Sequence, residues 1–317
     1  MNKEKIIIGI DTSNYTTSVS LISLDGEIIA NVKRPLPVKE GERGLRQSEA
    51  VFAHIKNLPS AMGEIREALS GRVPVAVGVS ERPRNIDGSY MPCFLAGVSA
   101  AESISASLDI PLYKYSHQCG HVMAAIHSSG ASDLLSGEDF VAFHVSGGTT
   151  EMLKVRAVDS GFSSELIGGT QDLNAGQVID RIGVIMGLPF PCGVHMEKLA
   201  LENREKIPSR KPKLQGLEVS LSGLENMASK LYKDTDDKKL TSAFVFDYIG
   251  KALFSLAEKY EEEFGKTKFL FAGGVMSNSV IKNMLSKKFS ARFAEPALSS
   301  DNAVGIAILA SITLNKG

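Results

Sequence analysis

The 317 residues are too many for one average domain and suit two of about 150. A composition of 43% hydrophobic and 22% charged residues supports a core in each lobe, while 35 Lys plus Arg against 36 Asp plus Glu exclude a global electrostatic drive toward nucleic acid or an anionic membrane. Three dispersed cysteines, Cys93, Cys119 and Cys192, exclude a disulfide framework and a CxxC zinc knuckle and point to a reducing compartment.

The chain opens with an apolar β run over 5–11, whose Ile6–Ile10 core is ended by Asp11 and is too short for a signal peptide or a spanning helix. The expectation is a cytoplasmic protein with no membrane association. Residues 16–24 alternate in period two, Asp25-Gly26 is a hairpin turn, and 27–32 return. A helical stretch over 45–69 is broken at Pro59, followed by a strand at 74–80 and an Ala- and Ser-rich helix at 94–108. A short strand at 112–115 leads into a helix at 117–126. A second round begins with a strand at 140–145, the turn 146–150, a returning strand at 151–158 and a third at 164–167. Helices at 175–186 and 194–203 follow, then a strand at 269–272, a helix at 276–287, a strand at 291–294 and a last helix at 301–314. Two units of this kind, each opening with a hydroxyl- or glycine-rich hairpin turn, imply a fold-level duplication. The expected fold is α/β: a two-lobed actin-like ATPase, a duplicated ribonuclease-H-like fold, with a nucleotide between the lobes. The expected lobes are 1–115 and 116–317. Residues 203–213 carry two prolines and five basic residues and read as an exposed loop.

Several constellations carry chemistry, each beside a plainer reading. Ser146-Gly147-Gly148-Thr149-Thr150 follows a strand, where glycine amides make an anion nest or an ordinary hairpin turn. Gly273-Gly274, ahead of Asn278, also leaves a strand and opens a helix, a setting for an anion or a nucleotide. His117 and His121 stand at i, i+4, so both imidazoles share one helix face, as a metal site requires and as two surface histidines also would. No Glu follows the first of them, so the peptidase reading lacks its general base. Asp301 precedes a helix, either as an N-cap or as a third metal ligand. Asp180 lies beside Gly176, Gly183 and Gly187, a stripe against which another helix or a ligand packs closely.

Taken in order, the segments IGIDTS, HQCGHVMAA, HVSGGTTEMLKV, IGGTQDLNAGQVIDRIGVIMGLPFPCG, VSLSGL, FAGGVMSN and AEPALSSDNAVGIA resemble the TsaD/Kae/Gcp family over nearly the whole chain. Its members are transferases that make threonylcarbamoyladenosine on tRNA, once named O-sialoglycoprotein endopeptidases. The resemblance implies one divalent metal, iron or zinc, held by His117, His121 and Asp301. It implies that His144, Val145, Ser146, Gly147, Gly148, Asp180, Gly193, Gly273, Gly274 and Asn278 bind ATP, ADP or threonylcarbamoyl-adenylate. The implied reaction moves threonylcarbamoyl from its adenylate to an adenosine amine of tRNA, with partner subunits of a tRNA-modification complex.

The chain also departs from that pattern, as a divergent paralogue would. Where the family carries an acid-bearing loop after the first strand, this chain reads Asn14-Tyr15-Thr16-Thr17, which leaves Asp11 as the candidate catalytic carboxylate. Leu173 replaces the second acid of a bacterial pair, Gln177 stands for a Glu, and Ser80-Glu81-Arg82-Pro83-Arg84 stands for a Gly-Pro-Gly loop. The alternatives these changes raise are a carbamoyl-type transferase with another acceptor and a catalytically impaired nucleotide-binding regulator. On the near-neutral chain, tRNA needs a local basic surface, for which Arg204, Lys206, Arg210, Lys211 and Lys213, with Arg82 and Arg84, are the candidates.

Overall fold

The structure, a computed structural model, describes residues 3–13, 15–37, 45–135, 138–158, 161–298 and 303–316. The chain forms β1 (Glu4–Ser13), β2 (Thr16–Ser23), β3 (Ile28–Pro35), α1 (Gln47–Glu64), β4 (Arg72–Arg82), α2 (Phe94–Leu108), β5 (Leu112–Ser116) and α3 (His117–Ser128). It continues through β6 (Phe140–Val145), β7 (Thr150–Val158), β8 (Gly161–Thr170), α4 (Ala175–Ile185), α5 (Gly193–Glu202), β9 (Leu214–Gln215), β10 (Glu218–Val219), α6 (Ser222–Thr235) and α7 (Lys238–Phe264). It ends with β11 (Lys268–Ala272), α8 (Ser279–Ser286), β12 (Ser290–Phe293) and α9 (Val304–Lys316).

The two sheets repeat one strand order. The first is β3-β2-β1-β4-β5, and the second contains β8-β7-β6-β11-β12 within its seven strands. In both, the first strand pairs antiparallel with the second and parallel with the fourth. The duplication expected from the hairpin turns is therefore present in the topology.

In the first sheet β1 is central and buried along its length beyond Lys5, which is why it reads as an unbroken apolar run. Ile6, Ile8 and Ile10 face Leu58 and Ala61 of α1 and Ala96 and Ala101 of α2. Glycines bring α9 close to the strands: a Cβ at Gly9 would lie 2.5 Å from the Ala303 carbonyl oxygen, and one at Gly78 2.7 Å from that of Ile306. α3 crosses α9 the same way, since a Cβ at Gly305 would lie 1.9 Å from the Gly120 carbonyl oxygen. The second core surrounds Phe143, Phe269 and Phe271 of the sheet, with α4, α6 and α7 contributing.

Two compact units result: Met1–Ser132 with Ala157–Ser164 and Ala297–Gly317, and Asp133–Arg156 with Glu165–Pro296. The expected boundary between residues 115 and 116 falls inside the first unit, between β5 and α3, because α3 packs on the returning α9. α1 runs through Pro59 rather than breaking there, with Leu58 and Ala61 buried on either side of the ring to hold the turn. α6 and α7 occupy a stretch to which the sequence assigned no elements. In one window α7 is long and apolar enough to cross a membrane, but 72% of that window is buried inside the protein. It is a core helix whose N-terminal half is buried on nearly every side, so its pattern shows little amphipathic period.

Candidate functional site

Strands β1, β4 and β5 run parallel, so their C-terminal ends share one edge of the first sheet. α3 begins there, directly after β5, with the Ser116 hydroxyl accepting from the Cys119 amide as its N-cap. His117 Nδ1 lies 2.9 Å from Asp11 Oδ1, near the end of β1. The hydroxyl of Ser80 on β4 donates to that same oxygen. One turn along α3, His121 Nε2 lies 2.9 Å from His117 Nε2, with the rings edge to face. Asp11 and Ser80 are fully buried, whereas the His117 side chain keeps 19% of its surface exposed.

This arrangement fits a divalent cation. An Nδ1–H donated to Asp11 leaves the Nε2 lone pair of His117 as the ligating atom. Two imidazole nitrogens 2.9 Å apart can both reach one ion at about 2.1 Å, and imidazole suits iron and zinc. Among the described residues no set of three His, Cys, Asp or Glu side chains gathers for a metal. Asp301, the expected third ligand, lies outside the described residues. Asp11, the expected catalytic carboxylate, is sealed behind His117 and has no exposed surface.

The second unit contains a cavity of about 250 Å³ lined by Gly147, Gly176, Ile179, Asp180, Pro191, Gly193, Val194, Glu197, Phe246, Gly274, Val275, Ser277 and Asn278. Five of the expected binding residues thus meet there: Gly147, Asp180, Gly193, Gly274 and Asn278. His144, Val145, Ser146, Gly148 and Gly273 do not line it. They belong to the strand end and turns that shape it. Gly273 has φ +98°, and a Cβ there would lie 2.2 Å from the Val145 carbonyl oxygen, so glycine is required twice over. A Cβ on Gly147 or Gly148 would meet nothing within 4 Å, which leaves the turn open.

Two glycines of the stripe, Gly176 and Gly183, are packed closely by protein, whereas a Cβ at Gly187 would meet nothing within 4 Å. A Cβ at Gly176 would lie 2.7 Å from the Gly147 nitrogen, and one at Gly183 2.2 Å from Cys192 Cβ. α4 is thereby clamped to the Ser146–Gly147 turn, with the Gly176 amide donating to the Ser146 carbonyl at 3.1 Å. Asp180 Oδ1 accepts from the Cys192 amide at 2.9 Å. Burial pushes the Asp180 carboxyl above its ordinary value, and that amide bond only partly opposes the shift. Asn278 caps α8, its Oδ1 accepting from the Ile281 amide at 3.1 Å.

Glu197 escaped the sequence argument. Its Oε1 accepts from the Ser279 amide at 2.7 Å and the Ser279 hydroxyl at 2.6 Å, which ties α5 to the start of α8 beside the cavity. The signal was present: Glu197 stands four residues after Gly193 on one helix and so shares its face. Asp172 also stood unremarked. Burial alone would raise its carboxyl, but hydrogen bonds from Ser220, Ser222 and the Leu221 and Leu173 amides prevail and hold it well below the usual range. Those bonds anchor the VSLSGL segment at the start of α6. At the β1–β2 turn, where the family's acid is missing, Tyr15 is exposed, and the buried Thr17 hydroxyl lies 2.8 Å from His54 Nδ1. All five basic residues of the 203–213 loop are exposed.

The family model described as "TsaD: tRNA N6-adenosine threonylcarbamoyltransferase" matches residues 39–308. A tRNA N6-adenosine threonylcarbamoyltransferase of Methanopyrus kandleri is 29% identical over 315 residues, covering 95% of this chain and 86% of that protein. Among solved structures, nucleotide- and phosphate-bound full-length HypF superposes with a TM-score of 0.58 at 14% identity, over all of this chain and 47% of that one. A ROK family glucokinase from Streptomyces griseus, solved with glucose and AMPPNP, gives 0.51 at 12% identity over 98% and 99% of the two chains. The fold is the duplicated, actin-like ATPase fold that the paired hairpin turns predict.

Proposed function

The chain belongs to the tRNA N6-adenosine threonylcarbamoyltransferase family, and on that premise we propose that it moves threonylcarbamoyl from a bound adenylate to an adenosine amine of tRNA. One observation supports adenylate binding above the others: Gly147, Asp180, Gly193, Gly274 and Asn278 come from four separate segments and line one cavity. In this reading the exposed backbone of Gly147 and the N-terminal end of α5 hold the phosphate and stabilise charge on the transferred group. Asp180, with one oxygen committed to the Cys192 amide, offers the other to a ribose hydroxyl. His117 and His121, with Asp301, hold one iron or zinc ion, which when bound supplies Lewis-acid polarisation. Partner subunits and a cytoplasmic location belong to the same proposal.

tRNA enters against the basic loop Arg204, Lys206, Arg210, Lys211 and Lys213. The test pairs chemistry with binding. Purified protein, with and without partner subunits, is given threonylcarbamoyl-adenylate and unmodified tRNA, and the nucleosides are read by mass spectrometry. In parallel, gel shifts with bulk tRNA compare the chain with a variant carrying serine at all five loop positions. Modified adenosine, with a shift that fades as salt rises and is weaker in the variant, is the expected outcome. Absence of both product and salt-dependent shift would remove tRNA as the acceptor and leave a different one. A shift equal in both proteins would keep tRNA and discard the loop.

A further inference from the structure

We infer that Asp11 and Ser80 form a positioning pair that sets the ring orientation and tautomer of His117, rather than acting on substrate. The inference rests on the reading of His117 and His121 as cation ligands. Asp11 is completely buried, and among the described residues its side chain is hydrogen-bonded to the Ser80 hydroxyl and His117 Nδ1, both on Oδ1. Oδ2 is buried and has no partner among the described residues. A buried carboxylate needs a compensating charge, and the ion-pair partner that the described residues supply is His117. A cation on the far side of that imidazole provides the charge, because the ring transmits polarisation from Nε2 to Nδ1. The geometry is the carboxylate–histidine–metal arrangement, in which the carboxylate fixes the tautomer and raises ligand basicity.

Ser80 enters from β4 and Asp11 from β1, adjacent parallel strands in register at Ile10 and Val79. The hydroxyl donor therefore comes from a sheet strand, and it shares with His117 of α3 the same carboxylate oxygen, Oδ1. This also accounts for an acid at position 11 in a chain that lacks the family's loop acid. The buried carboxylate serves the histidine and is not free to take a proton from an acceptor amine.

The experiment titrates cobalt(II) into the full chain and into Asp11→Asn, Ser80→Ala, Ser80→Thr and His121→Ala. Affinity is read by chelator competition, ligand geometry by visible absorption, and folding by circular dichroism and thermal unfolding. Wild type binds and His121→Ala does not. Asp11→Asn, which can present an amide N–H to His117 and impose the wrong tautomer, binds roughly 10–100-fold more weakly with an altered spectrum. Ser80→Ala weakens binding severalfold, and Ser80→Thr, which keeps the hydroxyl, restores it. If Asp11→Asn fails to fold, the Ser80 pair decides. Folded Ser80→Ala and Asp11→Asn that bind cobalt with wild-type affinity and spectrum, while His121→Ala does not bind, would overturn the positioning role and leave the cation site standing. A wild-type chain that binds no cobalt would overturn both.

Discussion

The β1–β2 hairpin of the first unit and the β6–β7 hairpin of the second hold the same place in the same strand order, yet they treat their polar residues in opposite ways. At the first, the groups are consumed internally: the Thr12 hydroxyl lies 3.1 Å from both the Cys93 carbonyl, to which it donates, and the Gly97 amide, from which it accepts. Thr17 is tied to His54, the Ser18 hydroxyl accepts from the Ala303 amide at 2.9 Å, and Asp11 is tied to Ser80 and His117. At the second, Gly147 and Gly148 are exposed, and Gly147 faces a cavity. One hairpin builds a support and the other offers a surface. A buried hydroxyl or carboxylate seeks its partners within the fold, whereas the second turn, although its Gly148 amide donates to the Ser146 hydroxyl at 3.3 Å, has no side chain at Gly147 to stand between backbone and cavity.

The strongest way to break this contrast is at Gly273, beneath the open turn. Gly273→Ala places a methyl 2.2 Å from the Val145 carbonyl oxygen in a backbone of φ +98°. We expect a loss of at least ~2–3 kcal/mol in urea unfolding, with adenylate binding lost as the turn shifts. Unchanged stability would mean that the strand-to-turn join is looser than its geometry implies.

A matched pair sharpens the contrast. Gly147→Val puts its side chain into open space, so stability should stay within about 0.5 kcal/mol while adenylate affinity falls at least ~10-fold by calorimetry. Gly9→Ala meets the Ala303 carbonyl oxygen at 2.5 Å and should cost ~1–3 kcal/mol in stability with adenylate affinity unchanged. If the two variants exchanged phenotypes, the assignment of support and surface would be reversed.

The smallest effect is a pH dependence at Asp180. Its folded value is raised by burial, so the folded protein holds that proton more tightly than the unfolded chain does. The stability it contributes is complete below the ordinary carboxylate range and is lost as pH rises through the raised value. Asp180→Asn removes this dependence. Thermal unfolding should show the variant gaining on wild type near neutrality, with the gap closing as pH falls toward about 4. A gap that is constant across that range would mean that Asp180 is not desolvated by its site.

How much was legible varied with how local the cause was. The two glycine turns, the i, i+4 histidines, the apolar run of β1 and the alternation of β2 depend on neighbours in sequence, and each was found. Glu197 was missed because its importance lies in Ser279, which is 82 positions away. Ser80 was read as part of a changed loop, when its hydroxyl answers a carboxylate 69 positions earlier. α7 was not assigned because a helix buried on most sides loses the period that betrays one.

From its sequence alone the chain determined its strand–turn signals, its paired histidines, its family and the duplicated architecture, because backbone propensity, side-chain spacing and motif order are properties of short segments. The tertiary structure decided which candidates share a cavity, that Gly176 and Gly183 of α4 are packed by the Ser146–Gly147 turn and Cys192, and that Asp11 is fully buried against His117. Those outcomes depend on which distant backbones approach within 3 Å and which polar groups are left without water, and no spacing along the chain records that.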